Sequence, residues 1–214
     1  MGKFPSEIQR PVNSSIGKKT LYSALIFITG VILGVISKVL DETSSNSLPY
    51  FLEELDLRNF FSRIGVWIFI AVVISVYCKS PVRSAVNVFL FFVGMVSSYY
   101  LYTVTIAGFF PKSYMMIWIV MTGISPFMAF VCWYAKGKGI FAISLSSIII
   151  MLISRQAFAF GYWYFDILYG LELFLWLGMI LVLYQSPKQI TIVVAIGMLL
   201  YFLTAQISFP FGLL

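Results

Sequence analysis

The chain contains no histidine. That removes the commonest general base and the commonest metal ligand at neutral pH, and with it every Ser–His or Cys–His dyad. Cysteine is nearly as scarce, with only Cys78 and Cys132. The topology derived below puts both at cytoplasmic helix ends, where reducing conditions work against a structural disulfide, so both read as small apolar packing residues. There is no P-loop, no GxGxxG fingerprint and no GxSxG elbow. No catalytic residue, metal site or cofactor is expected. Charge is also sparse: 10% of the 214 residues are charged, against about 25% in a soluble domain. The net charge is +6, yet no basic run exceeds Lys18-Lys19. Nucleic acid is therefore not an expected partner.

What the chain has instead is apolar surface. It is 61% hydrophobic and 18% aromatic, with a mean hydropathy of +0.97. A water-soluble fold of this size has nowhere to bury so much, and the expected solvent and partner is the lipid bilayer. The expected fold class is all-α, a polytopic transmembrane helix bundle. Seven runs approach the length needed to cross a core about 30 Å thick: Thr20–Val39, Ile64–Cys78, Ala85–Ile106, Tyr114–Tyr134, Gly139–Ser154, Tyr164–Tyr184 and Ile190–Ala205. Breaks at Lys79-Ser80-Pro81, Pro111-Lys112-Ser113, Lys136–Gly139 and Ser186-Pro187-Lys188 punctuate them. Six spans, with the last run at the interface or re-entrant, is the alternative.

Cations orient the bundle. With a cytoplasmic N-terminus, the inner side holds Lys3, Arg10, Lys18, Lys19, Lys79, Arg83, Lys136, Lys138 and Lys188. The outer side holds Lys38, Arg58, Arg63, Lys112 and Arg155, together with Asp41, Glu42, Glu53, Glu54 and Asp56. An odd number of spans puts the C-terminus outside. The layout is a polar cytoplasmic segment 1–19, a single membrane domain 20–206 and a short tail 207–214. Thr20–Val39 reads as an uncleaved signal anchor. Within the outer loop 41–61, Leu48, Phe51, Leu52 and Leu55 share one helical face, suited to a short interfacial helix. The expected location is a cell membrane, that of a bacterium.

Gly30 and Gly34 form a GxxxG pair, which lets helices approach closely. It serves packing within the chain or association with a second copy. Ser97 to Thr105 carries a dense row of hydroxyls, and Ser125-Pro126 is expected to kink or break the fourth run. The sixth run is the most unusual. On a helix, Asp166, Tyr169 and Glu172 fall within about 120° of arc, with Tyr162, Phe165 and Trp176 nearby. Such a face should look into the bundle. At 1.5 Å per residue, Asp166 lies about 5 Å deep and Glu172 about 14 Å, near the midplane. Arg155 is placed to pair with Asp166, which leaves Glu172 without a cation. Glu172 is then either a neutral acid donating a hydrogen bond to a neighbouring helix, or a protonatable site on a substrate or ion path.

Two family patterns bear on these readings. Glu53-Glu54-Leu55-Asp56-Leu57-Arg58 resembles the first motif of the CPBP intramembrane proteases, but histidines complete the site in that family, and this chain has none. The order Gly65-Val66-Trp67, then the basic break Lys79–Arg83, then Met95 to Tyr100 resembles an uncharacterised group of small multi-pass bacterial membrane proteins, a domain of unknown function. That resemblance covers under half of the chain. It implies a polytopic membrane protein and transfers no site residue. Three functions compete. The first is a small transporter or permease-like protein using Glu172, Asp166, Tyr169 and Arg155. The second is an accessory subunit bound to another membrane protein. The third is a membrane enzyme acting on lipid-linked substrates.

Overall fold

The structure is a computed structural model, and it describes residues 15–43, 50, 54–106, 108–109, 111–160 and 163–205. Its helices are α1 (Ile16–Glu42), α2 (Leu57–Ser62), α3 (Ile64–Tyr77), α4 (Pro81–Thr105), α5 (Lys112–Cys132), α6 (Ile140–Ala157), α7 (Gly170–Leu183) and α8 (Pro187–Thr204). A 3-10 turn, Trp133–Lys136, extends α5. Five helices are long and apolar enough to cross a membrane: α1, α4, α5 with its extension, α6 and α8. The other two apolar helices, α3 and α7, have 14 residues each. At 1.5 Å per residue they reach about 21 Å, short of the hydrocarbon core.

The sixth apolar run is not one helix. Its first residues form β2 (Phe165–Ile167), antiparallel to β1 (Phe158–Phe160), with Ala159 opposite Asp166. The stretch is dense in Phe, Tyr and Trp, which favour strands. The hairpin packs by its rings: Phe160 lies 4.9 Å from Phe165 and 4.8 Å from Tyr201. The sixth run counts Tyr164 and Phe165 as apolar and so starts its helix too early, ahead of Gly170. The Leu48–Leu55 helix falls mostly outside the described residues, as do Tyr162 and the C-terminal Phe209–Phe211.

Serine starts three of the five long helices, α1, α4 and α8. Ser15, Ser80 and Ser186 each accept from the backbone N–H three residues on, satisfying a donor that a helix start leaves open. At Ser80-Pro81 and Ser186-Pro187 the proline takes the first helical position, where its missing N–H costs nothing. The two caps share one backbone shape: φ −157° and ψ 156° at Ser80, φ −157° and ψ 157° at Ser186. Each follows a 14-residue helix. The chain thus uses one pattern twice: a long helix, a connector, a short helix, a Ser-Pro cap and a long helix. The first triplet is α1–α3–α4, the second is α6–α7–α8, and α5 joins them.

In both triplets the long helices pack at glycine. A Cβ on Gly30 would lie 2.1 Å from the Phe91 carbonyl oxygen, and one on Gly34 2.4 Å from that of Met95. From the other side, a Cβ on Gly94 would lie 2.5 Å from the Phe27 oxygen. Gly30 and Gly34 therefore face α4. Gly197 of α8 meets Ile150 and the Ser147 carbonyl of α6 in the same way, at 2.7 and 2.9 Å. Pro126 does not break α5, which runs through it. The Thr122 carbonyl, which loses its helical N–H partner to the proline, accepts from Ser125 Oγ at 2.8 Å.

A buried polar link fastens the first triplet. Ser23 Oγ donates to Asn87 Oδ1 (2.7 Å), and Asn87 Nδ2 donates to Cys78 Sγ (3.3 Å). Asn87→Leu should lower stability by about 1 kcal/mol, as for other hydrogen bonds between membrane helices. Ser23 can turn to its own helix's carbonyl and limit the loss. Thermal unfolding in mild detergent would measure it, and a loss above about 3 kcal/mol would mean that Asn87 does more than bond.

Candidate functional site

The two ends of the bundle differ in charge. One end gathers the starts of α1, α4, α6 and α8. There Arg83 donates to the Lys19 carbonyl (2.7 Å), and Lys136 to the Val182 carbonyl (2.6 Å) and Tyr77 hydroxyl (3.2 Å). Among the described residues it carries Lys18, Lys19, Lys79, Arg83, Lys136, Lys138 and Lys188, and no carboxylate. The described acids, Asp41, Glu42, Glu54, Asp56, Asp166 and Glu172, all lie at the opposite end, where α2 sits.

Glu172 belongs to the first turn of α7, not to the middle of a longer helix. Its side chain is 1% exposed, and it has a cationic partner that sequence reasoning missed. Arg63, which caps α3, donates from Nε to Glu172 Oε1 at 2.5 Å. The Arg63 guanidinium lies over the Tyr169 ring, 3.7 Å from its centroid, and its Nη1 is 3.6 Å from Asp56. Glu172 Oε2 is buried and has no hydrogen-bond partner among the described residues. The pair joins the heads of the two short helices, which are matching positions in the two triplets. An anion in the first turn of α7 also suits the positive end of that helix.

The other expected members disperse. Tyr169 caps α7 and meets Arg63. Asp166 is exposed on β2 and accepts from the Ile167 N–H at 2.8 Å. Arg155 donates to the Thr204 carbonyl at 2.8 Å and lies 5.8 Å from the Tyr201 ring. The expected Arg155–Asp166 pair thus gives way to links that tie α6 to α8, because the hairpin carries Asp166 out of the helix. A fixed helical arc was the wrong frame for it. Arg63 stands at the edge of an apolar run, which was the available signal, but its partner lies 109 residues away.

A second feature lies at the same end. A cavity of about 320 Å3 opens between α1, α2, α3, α4 and α5. Trp67, Met95, Val96 and Trp118 form apolar walls, while Lys38, Asp41, Arg58, Tyr99 and Tyr100 supply polar groups. The hydroxyl row of α4 is divided between jobs. Ser98 donates to the Val31 carbonyl of α1 (3.0 Å), Tyr99 donates to Asp41 (3.2 Å), and the buried Tyr100 hydroxyl has no partner among the described residues. No group of three or more metal-ligating side chains occurs among the described residues.

Comparison with protein-family models, with curated proteins and with solved structures finds no match to the chain. The helices by themselves fit an integral membrane protein.

Proposed function

We propose that the chain is a small permease-like membrane protein. Its path runs between the α1–α3–α4 and α6–α7–α8 triplets, with Glu172 as the carboxylate that a proton or cation meets. The observation that carries this reading is the repeated long–short–long triplet, with Arg63 and Glu172 at matching helix heads. Transporters are commonly built from such repeats, with sites at the repeat interface and on short or broken helices. The lysine-rich end, which has no carboxylate among the described residues, supports a cytoplasmic orientation for that end, and hence an outward-facing Glu172. The buried Glu172 Oε2, with no hydrogen-bond partner among the described residues, supports an exchangeable site there.

Breaking the Arg63–Glu172 pair should favour opening at the α2 end and closure at the basic end. Leu183, 2% exposed and near the basic end, reports that closure. In a background lacking Cys78 and Cys132, labelling of Leu183→Cys by a membrane-impermeant maleimide applied to the basic face should fall at least threefold on adding Arg63→Gln. An unchanged rate would mean that the halves do not rock, and the permease reading would fail.

A further inference from the structure

We infer that the cavity at the α2 end binds an anionic amphiphile, its oxyanion held at the mouth and its apolar body on the tryptophan walls. The lining groups differ in how many hydrogen-bonding positions they have left. Lys38 is 2% exposed, and its ammonium bonds Asp41 Oδ2 and Glu42 Oε1, both at 3.1 Å. It also lies 5.3 Å from the Tyr99 ring centroid and 5.0 Å from that of Phe109. An ammonium has three N–H donors, so one remains. Among the described residues Asp41 is the only carboxylate in the lining, and Lys38 and Tyr99 already occupy its Oδ2. Arg58 is exposed at the mouth and makes no ion pair among the described residues. The Tyr100 hydroxyl, in a residue 7% exposed, lines the cavity with no hydrogen-bond partner among the described residues.

The unspent groups are thus mainly donors: the five N–H of Arg58, one of Lys38 and the Tyr100 hydroxyl. Donors of this kind converge on carboxylate or phosphate oxygens. A cationic ligand would meet Lys38 already seated on the aromatic faces that favour cations. The deeper walls, Trp67, Met95, Val96 and Trp118, offer no competing charge and suit a hydrocarbon or aromatic body. The volume is at the small end of ligand pockets; it admits a head group and a few carbons rather than a whole lipid. A lipid head group and a free amphiphilic acid share this chemistry.

The inference does not depend on the permease reading, because it is tested at equilibrium without flux. The full chain would be placed in nanodiscs of zwitterionic phosphatidylcholine and titrated calorimetrically with decanoate, decyl phosphate, decyltrimethylammonium and decyl maltoside. Saturable binding of the two anions is expected. Arg58→Gln, an exposed change that should leave folding intact, should weaken it about tenfold, and Tyr100→Phe severalfold. Equal binding of the cationic or neutral probe would overturn the assignment, as would anion binding that survives Val96→Phe in the cavity wall with wild-type thermal stability. Competition identifies the source: displacement of decyl phosphate by phosphatidylglycerol in the disc marks a lipid head group, and displacement only by added free decanoate marks a soluble acid.

Discussion

Gly30→Ala should be among the most damaging single-methyl changes in this protein, while Gly123→Ala should be harmless. Alanine normally stabilises a helix by about 1 kcal/mol relative to glycine, and at Gly123 nothing lies within 4 Å of the added Cβ. At Gly30 the same methyl would lie 2.1 Å from the Phe91 backbone oxygen. Neither atom belongs to a flexible side chain, so α1 must move off α4 along their contact. Gly34 and Gly94 meet their neighbours nearly as closely, so the shift is not absorbed locally. Overpacking typically costs about 1–3 kcal/mol and sometimes more, and here the upper end or beyond is expected. Thermal unfolding of both variants in detergent decides it. A Gly30→Ala protein as stable as wild type would mean that the α1–α4 contact is looser than described.

The second large effect concerns charge. Arg63→Met leaves Glu172 1% exposed with its bonded cation gone, and breaking a buried pair from one side costs about 3–5 kcal/mol. The reverse change, Glu172→Leu, should cost less. Arg63 is 20% exposed and keeps Asp56 and the Tyr169 ring as neighbours. The double variant Arg63→Met/Glu172→Leu removes both charges and should recover most of the loss, since buried pairs are often replaceable by apolar residues. Stability measured around this cycle should give a coupling of about 2 kcal/mol or more. Additive losses would show that the two side chains do not act as a pair.

The apolar runs made the helices legible. Each of the seven runs contains a helix, and the serine-proline breaks mark helix starts. Lengths were less legible, because the sixth run takes in Tyr164 to Leu168 as membrane-spanning, whereas Phe165–Ile167 pairs with Phe158–Phe160 in a hairpin and the helix starts only at Gly170. Starting that helix at Tyr164 put Asp166 on a helix face and Glu172 two turns in, where the structure has Glu172 in the first turn of α7. The partner of Glu172 was hidden for a different reason. Arg63 reads as one more cation beside a loop, and nothing local links residues so far apart in the chain. The repeated Ser80-Pro81 and Ser186-Pro187 were visible as punctuation, but their equivalence needs the lengths of the helices before and after them. The cavity was legible only as its parts: the hydroxyl row of α4 and the acidic outer loop.

The shortness of α3 and α7 constrains how the protein is made. A 14-residue helix leaving the ribosome cannot reach both faces of the bilayer alone. It carries Arg63 or Glu172 at its leading end, and neither has met its counterpart when α3 emerges. In the permease-like arrangement proposed above, integration of α3 waits for α4, and that of α7 for α8, each pair entering as a hairpin hinged at its Ser-Pro turn. A nascent chain arrested before Pro81 would hold a segment without a settled place in the lipid. The same chain extended through Thr105 would hold a finished triplet.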